Sequence, residues 1–187
     1  SGRDVTLDRL GELVLSEKEA DQYCDRVISM MDDISSLVKP GERNDAGILK
    51  SHVSIKVSAL CSEFRPQAFE HTYARVEPRL RKIFDHAIRT KTFVNVDAEH
   101  YHYRDCVLKI FKKVLEKYPN WPDVGIVVKC YLKDAAPHLT EIAVFARERK
   151  HVMPTRLVKG AYWDAETIEA EVHGHTSYQF LNKEETD

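Results

Sequence analysis

Glycine is scarce in this chain, seven among 187 residues, and its glycines nowhere take the G-x-G-x-x-G spacing of a dinucleotide-binding loop. Gly11 stands alone after the first apolar stretch, so the Rossmann way of cradling a phosphate is excluded. Cysteine is scarcer still: Cys24, Cys61, Cys106 and Cys130 lie far apart with no C-x-x-C spacing. Thiols placed like this build neither a disulfide frame nor a zinc site and are expected in a reducing compartment. No apolar run approaches the ~20 residues of a membrane span, and the N-terminus lacks the basic and apolar regions of a signal peptide. A cytoplasmic location is therefore expected. An excess of one charge is missing too, with 28 Lys and Arg against 30 Asp and Glu. A chain so balanced offers no basic footprint for nucleic acid and no long acidic tail.

What the chain does have is a hydrophobic content of 43%, enough to bury one core across residues 1–187. Thr6 to Leu15 reads as a short strand interrupted by Gly11-Glu12. A helix follows from Ser16, with Glu19 placed to complete a capping box, and Lys39-Pro40-Gly41 ends it. Val53 to Ala59 reads as the second strand, and the helix after Arg65-Pro66 is expected to kink or split at Pro78. Thr92 to Asp97 is a third strand, and a third helix carries Val107, Ile110, Phe111 and Val114 as its stripe. Val124 to Tyr131 is nearly continuously apolar, as a central parallel strand should be, and a helix from about Pro137 to Lys150 follows. A fifth strand begins at Thr155, a helix runs from Ala165 to Val172 until Gly174 stops it, and Tyr178 to Leu181 starts a sixth strand.

Strand and helix thus alternate without hairpins, which predicts an α/β fold with a parallel sheet. Two architectures fit, a doubly wound sheet or a (β/α)8 barrel. Charged residues decide between them: Glu12, Lys56, Asp97, Lys129 and Arg156 each fall at or near the C-terminal end of a different strand. One buried charge would be an oddity, but five in equivalent places describe the polar mouth of a barrel. At 187 residues the chain is short for that fold, which typically takes about 250, so a partial TIM-type barrel of about six of the eight strands is expected.

The stretch Thr155 to Asp164 (TRLVKGAYWD) concentrates the chemistry. A short basic strand passes through Gly160, where a backbone can be approached closely, and delivers Tyr162, Trp163 and Asp164 into the start of a helix. Read alone, it is equally a packed strand-to-helix corner with snorkelling charges.

With these residues aligned, the sequence resembles the FAD-dependent proline dehydrogenase barrel, especially as found in the bacterial bifunctional proline utilisation A flavoenzymes. The resemblance rests on Leu10-Gly11-Glu12, on Ser54 to Leu60 (SIKVSAL), on Asn95 to Glu99 (NVDAE) and above all on Arg156 to Asp164 (RLVKGAYWD), and covers the chain from Thr6 onward. It implies oxidation of L-proline to pyrroline-5-carboxylate by hydride transfer to FAD. Electrons would pass on to a membrane quinone, with the protein peripheral to the inner membrane. Lys56, Asp97 and Tyr162 would line the substrate pocket, supported by Glu12. Arg156 would donate to the flavin, and Val158, Lys159, Gly160, Ala161 and Trp163 would run along it. Lys183 would reach the cofactor phosphates. Lys129 stands where the bifunctional members usually carry a Gln that would bond the flavin pyrimidine edge; as a cofactor-binding cation there it would favour an anionic reduced flavin, the alternative being that it points away.

Each residue also has a plainer reading. Lys56 and Asp97 form an interior ion pair in any barrel mouth, Tyr162 covers a core, and Glu12 is a solvated strand-end carboxylate. His100, His102 and Cys106 cluster, as do His173 and His175, but without H-E-x-x-H or C-x-x-C spacing no metal is expected. From a different class, a noncatalytic interaction module could retain the same barrel repeats. The resemblance further implies that two strands and a final helix, bearing an arginine pair for the substrate carboxylate, lie beyond Asp187. An open sheet leaves strand edges to be covered by a second copy or a companion fragment. The isolated chain is accordingly expected to show no proline-dependent dye reduction; turnover together with a bound yellow cofactor would overturn that expectation.

Overall fold

The computed structural model describes residues 5–8 and 14–186. Five strands, β1 (Leu7–Asp8), β2 (His52–Ile55), β3 (Phe93–Val96), β4 (Val124–Lys129) and β5 (Thr155–Val158), form one parallel sheet in the order 1-2-3-4-5. The order never reverses, which separates it from a doubly wound sheet and matches a barrel built by repeating one right-handed βα step. The helices are α1 (Glu17–Leu37), α2 (Phe69–Thr90), α3 (Arg104–Leu115), α4 (Ala135–Arg149) and α5 (Trp163–His173).

The start of α1 follows its predicted chemistry. The Ser16 hydroxyl accepts from the Glu19 N–H at 3.2 Å while the Glu19 carboxylate accepts from the Leu15 N–H at 2.7 Å, so two orphan donors are satisfied reciprocally. From there Ala20, Tyr23, Val27, Met31 and Ile34 recur at helical spacing and face the core. α2 buries Val76, Leu80, Ile83, Phe84 and Ala87 in the same way. Phe84 meets Trp121 at 4.9 Å between ring centres, and burial of such a side chain contributes about 1.5–3 kcal/mol. All six residues of β4 are buried, as a strand covered on both faces must be.

Three segments depart from expectation. The second strand ends at Ile55, and Val57–Leu60 turns into a 3-10 helix, because the Ser58 N–H bonds the Glu99 carboxylate instead of continuing a ladder. Pro78 neither ends nor divides α2; buried apolar residues on both sides hold the helix, and the Arg79 guanidinium donates to the Arg75 carbonyl beside the interruption at 3.3 Å. Tyr178 to Leu181 is not a sixth parallel strand: it makes one antiparallel bridge, Gln179 with Leu132, on the far side of the β4–α4 turn. The buried Gln179 amide donates to the Trp163 carbonyl at 3.0 Å and to the Thr167 hydroxyl at 2.7 Å, fastening this segment to α5 instead of to the edge of β5.

Glu17 joins three elements. It accepts from the Ser62 N–H and hydroxyl at 3.0 and 2.6 Å and from Arg79 at 2.7 Å. Burial pushes this carboxyl up, but the Ser62 and Arg79 donors outweigh it and bring it from 4.5 to about 2. A group held lower in the folded state stabilises the fold above 4.5 and loses that contribution as pH falls towards 2. Glu17→Gln is expected to lower stability at neutral pH and to flatten the loss of stability between those two values, as measured by urea unfolding across the range.

Candidate functional site

In a parallel sheet every strand ends on the same side, so the C-terminal residues of β1, β2, β3 and β5 meet along one rim. Lys56 follows β2, its N–H fixed by the Tyr23 hydroxyl at 2.9 Å, and its ammonium lies 3.2 Å from both Asp8 and Asp97. Asp97 follows β3 and divides its carboxylate between two cations: Oδ2 takes Lys56, and Oδ1 accepts from Arg156 on β5 at 2.9 Å. Burial alone would lower the Lys56 ammonium, but Asp97 and Asp8 outweigh it and hold the group above its ordinary value. Three residues singled out in the sequence, Lys56, Asp97 and Arg156, are thus brought into one ion network. Arg156 is the most open of them, its side chain 43% exposed against 13% for Lys56.

A cleft of about 700 Å³ opens beside this network, with Lys56, Ser58, Glu99, His100, Tyr103 and Tyr162 among its walls. Glu99 is buried and accepts from both the N–H and the hydroxyl of Ser58. Burial pushes its carboxyl up, against the pull of those donors. Tyr162 stands at the start of α5, with the His100 ring 4.3 Å from its own on one contact and the Lys129 ammonium 5.2 Å from its ring centre on another.

Lys129 does not open into the cleft. Its side chain is buried at the end of β4 and pairs with the wholly buried Glu166 of α5 at 2.6 Å. Glu166 also accepts from the Tyr101 N–H at 2.8 Å and the Tyr131 hydroxyl at 2.7 Å. Burial draws the Lys129 ammonium below the ordinary lysine range despite its partner.

Gly160 fits the sequence reading in one respect and corrects it in another. Its φ of 132° favours glycine, and something does approach its backbone closely: the ring of Tyr131, which an added Cβ would meet at 1.6 Å. Lys159, Gly160 and Trp163 line a second cleft of about 290 Å³ together with Tyr131, Phe180 and Leu181, and the Trp163 indole donates to the Phe180 carbonyl at 3.1 Å. Val158 ends β5 half-buried and Ala161 is exposed in the loop beyond it. Lys183 opens a short 3-10 turn, Lys183–Glu185, while Glu12 and the Lys183 side chain lie outside what is described. Of the histidines, His102 bonds Glu169 at 3.0 Å and the His173 and His175 rings stack on each other.

Glu99, His100, Tyr131 and Glu166 were missed as site residues. A glutamate in the first turn of a helix ordinarily answers the helix dipole from solvent, so Glu166 carries no local signal of burial. Its only clue is Ala170, four residues on and also buried, which marks the inward face of α5 as the one without large apolar residues.

The proline dehydrogenase family profile matches residues 1–187. Among curated proteins, the chain is 29% identical over 183 residues to the bifunctional protein PutA of Escherichia coli, covering 95% of this chain and 13% of that protein. It is 26% identical over 170 residues to proline dehydrogenase 1 of Bacillus subtilis, covering 90% of this chain and 47% of that one. Among solved structures, proline utilization A from Bdellovibrio bacteriovorus inactivated by N-propargylglycine superposes with a TM-score of 0.88 at 33% identity, covering 98% of this chain and 20% of that one. With a parallel sheet in barrel order, strand ends that converge in one charged rim, and a profile match along its whole length, the chain belongs to the proline dehydrogenase family.

Proposed function

We propose that this chain forms the substrate-binding and flavin-binding part of an enzyme that oxidises L-proline to pyrroline-5-carboxylate. The observation that carries the reading is the Lys56–Asp97–Arg156 network at the rim of the sheet, whose Lys56 lines a cleft that Tyr162 also walls. A proline zwitterion brings one cation and one anion. Asp97, held rigid by two partners, accepts from the ring nitrogen, and Lys56 donates to the carboxylate. Tyr162 covers the apolar ring carbons and limits water beside the carbon that reacts.

The residues present suit a planar, anionic cofactor. Trp163 exposes 39% of its surface and shares a cleft with the basic Lys159, the pairing of apolar face and donor that an aromatic ring system with phosphates requires. Arg156, Val158, Lys159, Ala161 and Trp163 would hold FAD, with Lys183 reaching its phosphates and Gly160 keeping the loop closed on Tyr131. Bound FAD would accept the hydride from the ring carbon beside nitrogen, and its electrons would leave to a quinone at the membrane. The nitrogen gives up a proton as the ring C=N bond forms. Lys129, paired with Glu166, contributes to the site from behind Tyr162.

The natural protein carrying this segment is expected to reduce a dye in a proline-dependent manner. Asp97→Ala should lower kcat/KM for proline by roughly 10- to 150-fold, the range expected for one lost charge-assisted hydrogen bond. A wild type without proline turnover, or an Asp97→Ala variant with unchanged kcat/KM, would sink the reading. Gly160→Ala should lower flavin content at constant protein, since the added methyl must displace the Tyr131 ring; absorbance at the flavin band against the protein band measures this.

A further inference from the structure

Glu166 is the most completely enclosed charge among the described residues, and nothing in the proposed reaction uses it directly. Its carboxylate is fully buried and saturated by donors from two directions: the turn after β3 through the Tyr101 N–H, and the end of β4 through Lys129 and Tyr131. Both Lys129, which ends β4, and Tyr131, just beyond it, bear on the β5–α5 loop. The Tyr131 ring fills the place of a side chain on Gly160, and the Lys129 ammonium lies 5.2 Å from the centre of the Tyr162 ring. α5 buries only Glu166 and Ala170, while Ile168 and Val172 are exposed, and its other ties are hydrogen bonds to the Gln179–Phe180 segment and to His102.

A buried ion pair contributes little more to stability than well-packed apolar residues of the same volume. What it does contribute is a fixed geometry, because neither charge can leave its partner without facing a low-dielectric surround alone. Here that geometry puts a cation against an aromatic face, an attraction that depends on where the ammonium sits.

We infer that Glu166 is a positioning residue for proline binding: it fixes the Lys129 ammonium, and through it the Tyr162 ring, at the wall of the substrate cleft. The inference rests on the proline-oxidising reading and deepens it. Lys129 then acts on the substrate through Tyr162, and the lysine at this strand end is part of the substrate wall's scaffold.

Three variants of the full natural protein separate this role from a purely structural one: K129M, E166Q and K129M/E166Q. Either single change strands a buried polar partner and should lower the melting temperature by several degrees, whereas the double variant should return it close to wild type. Proline KM in the double variant should nevertheless stay raised about fivefold to tenfold, the scale of one lost cation–π contact, with kcat changed less. Equilibrium binding of a non-oxidisable five-membered-ring carboxylate should weaken by the same factor. In a Y162A background the double change should alter KM less than twofold, because the residue through which it acts is gone. A double variant with wild-type KM and analogue affinity, or one whose effect persists undiminished in Y162A, overturns the inference alone. A wild type that binds and oxidises no proline overturns the functional reading and this inference with it.

Discussion

All five strands among the described residues run in one direction, and that constraint orders the rest of the molecule. Parallel pairing sends every C-terminal end to the same rim, so charges that are far apart in sequence become neighbours whether or not they attract. The chain meets this by alternating sign along the rim: Asp8, Lys56, Asp97 and Arg156 follow one another through contacts of about 3 Å. Asp97 is the central member, because each of its two oxygens serves a different cation from a different strand. The strands it spans are not adjacent, since β4 lies between β3 and β5. Lys129, which ends that intervening strand, would add a third cation to the rim if it faced the same way. Glu166 takes it instead, on the other side of Tyr162.

Much of this was legible in the sequence. Strand order, the capping box at Ser16 and the rim positions of Lys56, Asp97 and Arg156 all follow from local pattern, because period and charge placement are local properties. The failures share a cause, which is that a long-range partner overrode the local preference. Val57 to Ala59 has the composition of a strand, but its backbone donor at Ser58 is claimed by Glu99, 41 residues away. Tyr178 to Leu181 has strand-like composition too, but Gln179 finds its partners in α5 and at Leu132. For α5, the apolar pair Ile168 and Val172 points to an inward face that the structure leaves exposed, while Glu166 occupies the inner one. No period distinguishes a buried glutamate from a solvated one; only its donors, which come from Lys129, Tyr131 and Tyr101, make the burial tolerable.

A glycine signals close approach without naming what approaches. Gly160 was expected to admit a close neighbour, and it does, but the neighbour is the protein's own Tyr131. The loop is therefore shaped from behind by β4 before any ligand reaches its front. Pre-formed loops of this kind spare a bound molecule the entropy of ordering the backbone, and they place the cost of the unusual φ on the fold.

Charge balance at the rim bears on how a zwitterion would bind there. The two carboxylates and two cations of the rim pair with one another, so the network itself carries no net formal charge. An amino acid with one ammonium and one carboxylate leaves that balance unchanged: it can take Asp97 on one side and Lys56 on the other while Asp8 and Arg156 keep the network closed. The exchange swaps partners without burying net charge, which is the arrangement least penalised by desolvation. A dicarboxylate or a simple amine would instead leave one unit of charge unmatched beside a partly buried lysine or aspartate. On the proposed reading, discrimination for a small zwitterion would come from the neutrality of the rim network, and the choice of a ring over an open chain would fall to the Tyr162 wall and whatever holds that wall in place.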